Sequence, residues 1–175
     1  MANQSPRIDL LLKGLARSYD RLGWHGPVLK GALRGVKVKT ALWRPDAKRN
    51  SIRDLVIHCA YWKFVVRRWL NAATATARDD KEAAVAFKAE KFQRSPINFP
   101  SRDEAVDARR WREDLKLLDD EHRKLILAVA AFPESLLDAR AALTGMSYAE
   151  VIFGVSAHDL YHCGQISLFK RLALP

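Results

Sequence analysis

Three histidines have the spacing and surroundings of metal ligands. His158 and His162 stand four residues apart, which on an α-helix is about 6 Å along the axis and on one face. Both lie on an apolar stripe that runs Val151, Val155, His158, His162, Gln165, Phe169, so the imidazoles turn toward whatever the helix packs against. His58 lies on a second stripe of the same kind, Leu55, His58, Trp62, Val65, Trp69. A pair from one helix and a third ring from a facing helix can meet at a single ion. Neutral imidazoles suit a divalent metal such as Zn²⁺, Ni²⁺ or Fe²⁺. Three protein ligands leave a coordination position open, the arrangement of catalytic rather than structural sites. A water or a thiol in that position would be acidified. Ligating histidines also need their second ring nitrogen held. Asp54, one turn before His58, and Gln165, one turn after His162, are the candidates, although Asp54 also stands where a helix cap belongs. Trp62 and Tyr161 flank the histidines and are expected to pack beside them or line a pocket.

The other reactive side chains carry less. His25 falls in a Gly/Pro-rich loop and His122 in the charged run Asp119–Lys124, and neither is expected to be a ligand. Cys59 and Cys163 each follow a proposed ligand directly. One helical step turns about 100°, so the thiols should point away from an ion and rest as buried, inert groups. Two cysteines make no disulfide framework and fit a reducing, cytoplasmic setting. Gly164 is expected to permit close helix approach.

Four helices must position these residues. Ser5 before Pro6 opens the first, with Ile8, Leu11, Leu12, Leu15 and Leu22 repeating at threes and fours up to Gly23. Ser51-Ile-Arg-Asp54 is a capping-box spacing that opens a helix through about Ala73. Ser101-Arg-Asp-Glu104 has the spacing to open a third, with Val106, Trp111, Leu115, Leu118, Leu125 and Val129 along it, stopped by Pro133. Ser147-Tyr-Ala-Glu150 opens the fourth, which runs to about Leu172. Two long connections separate them. Residues 23–50, rich in Gly and Pro, are expected to be an ordered but irregular crossover, and within 79–100 Ala83 to Phe92 could form a short helix or be mobile. No repeat and no convincing strand is visible. The expectation is an all-α fold, a four-helix bundle with long crossover loops, as one domain over residues 1–175.

The chain has 175 residues and a formal net charge of +10, with 49% hydrophobic residues, enough for a buried core. Its apolar runs are too short for a membrane-spanning helix, and its first residues hold no secretory apolar stretch. The excess charge belongs to residues 1–78, which carry a net of +12. It is spread singly, as on a solvated face, and charge without a reading motif points only weakly to nucleic acid.

At the segment Ser51-Ile-Arg-Asp-Leu-Val-Ile-His58-Cys-Ala-Tyr-Trp62, and again at His158-Asp-Leu-Tyr-His162-Cys-Gly-Gln165-Ile, the sequence resembles the DinB/YfiT-like superfamily. With Ala41-Leu-Trp43-Arg-Pro45 leading into the second helix, the resemblance spans most of the chain. It implies an up-down-down-up bundle, often homodimeric, with His58, His158 and His162 at the family's ligand positions. It also implies a small-molecule substrate and zinc, nickel or another divalent ion. Members of known activity include thiol transferases using bacillithiol, mycothiol or glutathione, and a thiol-dependent maleylpyruvate isomerase. The sequence therefore leads to a metal-dependent enzyme, a thiol transferase or hydrolase, in which a low-molecular-weight thiol can serve as co-substrate. The alternatives are a non-catalytic metal-binding or scaffold protein of the same fold and a basic nucleic-acid-binding module.

Overall fold

A computed structural model describes residues 5–94, 98–102, 104–141 and 144–173. Seven α-helices lie among these residues, and no strand does. The long ones are α1 (Pro6–Tyr19), α4 (Ile52–Ala77), α6 (Ala108–Ala130) and α7 (Tyr148–Leu172), while α2 (Leu29–Leu33), α3 (Val38–Leu42) and α5 (Lys81–Ala89) sit in the crossovers. The helix starts follow their caps. Ser5 accepts from the Arg7 amide with Pro6 in the first turn. Ser51 with Asp54, and Ser147 with Glu150, each form a complete capping box. The third expected start is different. Helix α6 begins at Ala108 behind Asp107, whose carboxylate accepts from the Arg110 amide, and Val106 lies outside it. Glu104 turns instead to Arg53 and Arg110. Asp103, in the middle of the expected box, lies outside the described residues. The first helix also stops early, at Tyr19, and Leu22 is left 92% exposed.

Side-chain register sets the helix directions. Arg53 and Arg67 of α4 meet Asp114 and Glu121 of α6 in the same order, so these two helices run parallel. His58 and Lys63 of α4 meet His162 and Asp159 of α7 in reverse order, so α7 runs back. Helix α1 passes close to α7 at Gly14, where a β-carbon would meet the Ser156 hydroxyl at 3.4 Å, and Ile8 packs in one cluster with Val151 and Ile152. The bundle is thus up-down-down-up. A parallel neighbour in sequence requires a crossover, and residues 78–107 supply it. Arg67 pairs with Glu90, and Arg94 with Asp114, tying that crossover to α4 and α6. The other crossover is held by the Trp111 indole N–H on the Val36 carbonyl and by Lys170 on the Ala32 and Arg34 carbonyls.

The apolar core is divided. One part holds Ile52, Leu55, Val56, Ile57, Leu118, Cys163 and Ile166, and the other holds Leu15, Val66, Leu70, Leu125, Val129, Ile152 and Val155. Between them lies a polar layer in which Lys63 and Asp159, both fully buried, form an ion pair. Tyr19 stacks on His122 there at 3.8 Å and 15°, and its hydroxyl donates to Asp119 at 2.5 Å. The basic N-terminal part of the chain is therefore not simply a solvated face. Arg53, Lys63 and Arg67 are buried on α4, which is packed by α3, α5, α6 and α7, and each is matched by a carboxylate of α6 or α7. No helix among the described residues is long and apolar enough to cross a membrane.

Candidate metal centre

Helices α4 and α7 bring the three histidines together in the first core region. The Nε2 of His158 lies 2.9 Å from the Nε2 of His58 and 3.0 Å from that of His162. All three ligand atoms lie within 4.8 Å of one another. His58 and His162 are buried, at 8% and 6% exposure, and His158 is half-buried. Burial holds all three rings neutral. His158 falls to about 3, through burial first and then the neighbouring His162 and His58. His162 falls to about 4 through burial, opposed by Gln165, and His58 is lowered by burial against the opposing effect of Asn98.

Proton placement shows that these residues fit a cation. The Nδ1 of His162 is 2.6 Å from Gln165 Oε1. An amide oxygen only accepts, so Nδ1 carries the proton and Nε2 presents a lone pair. The Gln165 amide in turn donates to the Tyr161 hydroxyl at 3.1 Å. His158 Nε2 sits against two nitrogens at once, and a single proton on it can serve only one of them. With His58 and His158 also protonated on Nδ1, all three Nε2 lone pairs would be free to meet one cation, which serves every one of them at once. The donor set of three neutral imidazole nitrogens is that of a divalent transition ion.

The expected neighbours are only partly in place. Gln165 takes the orienting position for His162, and Tyr161, itself exposed, packs edge-on to that ring at 4.9 Å. Trp62 lies edge-on to His58 at 6.4 Å between centroids. Asp54 does not take the corresponding position for His58. Its Oδ2 accepts from the Ser51 amide at 2.8 Å and pairs with Arg44, so the capping box claims it. The Nδ1 of His58 and the Oδ1 of Asn98 are both buried without a well-formed hydrogen bond, and Asn98 is the group close enough to act on this ring. Phe99 stacks flush on His58, at 4.5 Å and 3°. Asn98 and Phe99 come from the irregular end of the second crossover, where no periodicity marks them. The one sequence signal is an aromatic residue held between Asn98 and Pro100 in a polar connection.

A second group, Cys59, His158 and Asp159, also brings ligand atoms within 4.8 Å. Lys63 already occupies Asp159, and burial pushes the Cys59 thiol up, so this group is the poorer cation site. Both cysteines are buried and free, and the Cys163 thiol donates to the Pro27 carbonyl at 3.3 Å. His25 is exposed, and His122 belongs to the polar layer. Gly164 does not bring helices together, since the space beside it is open.

None of the curated proteins and none of the solved structures matches the chain. A family model does, over residues 21–166, a span that takes in the second crossover, His58, His158, His162 and Gln165. The chain belongs to the DinB superfamily.

Proposed function

We propose that this chain is a divalent-metal-dependent enzyme acting on a small molecule, with His58, His158 and His162 as the ligands. The observation that carries the reading is the convergence of three Nε2 atoms, with Gln165 fixing the His162 tautomer. A divalent ion bound there supplies Lewis acidity at a position left open by three protein ligands, where a water or a thiol is acidified. The chain's own residues prepare the site. Gln165 keeps the proton of His162 on Nδ1, and Phe99 and Trp62 keep water from the His58 ring. The half-buried edge of His158 is the approach for a small substrate. Family resemblance favours thiol transfer, with a low-molecular-weight thiol as co-substrate, over hydrolysis. In the test, protein purified without chelator carries about one divalent ion per chain. Loaded with Zn²⁺ or Ni²⁺, it consumes glutathione with an electrophilic small molecule faster than a His158→Ala, His162→Ala variant does. Protein that neither carries nor takes up either ion overturns the reading.

The stacking of Phe99 on His58 supports a second reading, metal binding without catalysis. Cobalt substitution separates the two. A small thiol shifts the visible bands of the cobalt protein if the remaining position is open, and unchanged bands with the ion bound favour the scaffold.

A homodimer is part of the proposal, supported by α7. Its outer face exposes Phe153, Gly154, Ala157, Tyr161, Gly164 and Leu168 with no charged residue among them. Such a face is unusual on a monomer, and a two-fold pairing would cover it. Sedimentation should give twice the chain mass, reduced to one chain in Phe153→Glu, Leu168→Glu.

A further inference from the structure

The C-terminal half of α4 and the connection into α7 enclose a second cleft, of about 590 Å³. Its α4 wall begins at Arg68, ten residues beyond His58, or about 15 Å along the axis. That wall is one helix face, Trp69, Ala72, Ala73, Thr76 and Ala77. Opposite stand Leu136, Ala139, Ala141 and Tyr148. Alanines on both walls leave the gap that larger side chains would close.

The charge at this cleft is one-sided. Arg68, Lys88 and Arg140 line it, and no carboxylate does. The buried arginines of the bundle meet acids, as Arg53 and Arg67 do. The three cations of the cleft form no direct ion pair among the described residues; Arg68 acts on Glu90 and Arg140 on Glu150 only at longer range, and neither carboxylate lines the cleft. Arg68 and Arg140 are steadied by neutral partners instead, donating at 2.8 Å to the Glu90 and Gly145 carbonyls. The Nε of Arg68 is buried without a hydrogen-bond partner.

We propose that this cleft binds a small organic anion with an apolar body, a medium-chain or aromatic carboxylate. Its hydrocarbon lies against Trp69, Leu136 and Tyr148, and its carboxylate lies among Arg68, Lys88 and Arg140. A carboxylate gives a cleft lined by three cations and no acid its own counter-charge and can accept from the Arg68 guanidinium. An alcohol of the same length would fill the walls and leave the charges unmet, and a cationic amphiphile would be repelled. The site requires no metal and stands whether or not the histidine centre is catalytic.

Calorimetric titration of octanoate, octanol and octyltrimethylammonium into the full chain tests this. Octanoate should saturate one site per chain, octanol should bind at least about tenfold more weakly, and the cation should not saturate. Lys88→Glu with Arg140→Glu should weaken octanoate by about tenfold or more, with the thermal melt and metal content unchanged. Ala73→Leu should do the same by filling the cleft, and if it does not fold, the charge-reversed variant decides alone. Equal affinity for octanoate and octanol, or no loss on charge reversal, overturns the proposal. So does a dimer that Ala73→Leu dissociates, which would give the cleft to a second copy. Pelleting with phosphatidylglycerol vesicles that charge reversal abolishes, without octanoate binding, would give the cations to a membrane surface and overturn it equally.

Discussion

Two buried regions of this bundle hold neutral histidines, and they differ in what surrounds the nitrogens. His158, in the triad, and His122, in the polar layer, are both driven down to about 3, with burial the largest cause in each. Each also leaves its Nδ1 buried without a hydrogen bond. Yet His158 has two further imidazole nitrogens within 3.0 Å. His122 has the face of Tyr19, and Lys63 and Lys30 press on its proton. The cationic Lys63 Nζ lies 5.1 Å from the centre of the same Tyr19 ring. Lys63 opposes a positive charge in both regions, but only in the first do three ring nitrogens converge where an ion could be ligated. Low proton affinity therefore reports burial, and convergence of ring nitrogens reports a ligand site.

Removing rings from each region separates the two most strongly. His158→Ala with His162→Ala should reduce bound metal from about one ion per chain to background by elemental analysis. His122→Phe should leave the metal content unchanged. Equal loss in both variants would mean that burial, and not convergence, governs metal uptake. Next in size is the ion pair of the polar layer. Lys63→Met leaves Asp159 buried without its partner and should cost about 3–5 kcal/mol in urea unfolding. Lys63→Met with Asp159→Leu should recover much of that loss, because neither charge is then stranded.

How much of this is legible in the sequence differs by residue. The triad is legible because α4 and α7 interrupt apolar stripes with histidine, and the stripe states which way the ring turns. Gln165 is legible for the same reason. Asp54 is not the partner of His58 that its spacing suggests, because one spacing serves two ends. The Ser51-x-x-Asp54 box that starts α4 also commits the carboxylate. The Ser101 box is a spacing without a helix, and Asp107 does the capping. Arg53, Lys63 and Arg67 look like solvated charge in a linear count. Their acids lie 61, 96 and 54 residues away, and only the bundle brings them together. Phe99 and Asn98 carry no period at all. Their place over His58 depends on how a crossover closes, which local pattern does not encode.

A smaller effect separates the carboxamide from the carboxylate expected beside the triad. Gln165→Leu frees the His162 tautomer and should weaken metal binding about 10–100-fold, measured by competition with a chromophoric chelator. Asp54→Ala should leave metal affinity alone and cost about 1–2 kcal/mol of stability through the lost cap. If Asp54→Ala weakens the metal as much as Gln165→Leu does, its carboxylate reaches the site after all.

The last contrast is in pH. His122 titrates near 6.5 when unfolded and at about 3 in the fold, lowered by burial and then by Lys63 and Lys30. Below the unfolded value the unfolded chain binds a proton that the folded chain refuses, so stability falls as pH drops from 6.5 toward 3. The groups facing this ring are Tyr19, stacked on it, with Asp119 bonded to Tyr19 and Lys63 paired to Asp159. Burial raises the Asp159 carboxyl against the opposing Lys63, so the share of the histidine is read as the difference between parent and variant. The loss at pH 5 is about 2 kcal/mol for this one group. His122→Phe removes the titration and keeps a ring against Tyr19. Urea unfolding of metal-loaded protein at pH 7 and pH 5 should therefore show a smaller fall in the variant than in the parent. The triad adds a fall of its own, because its rings also refuse protons that the unfolded chain binds, and that share is common to parent and variant. An unchanged fall in His122→Phe would place the acid sensitivity in the triad, and the polar layer would then be an inert spacer between the two cores.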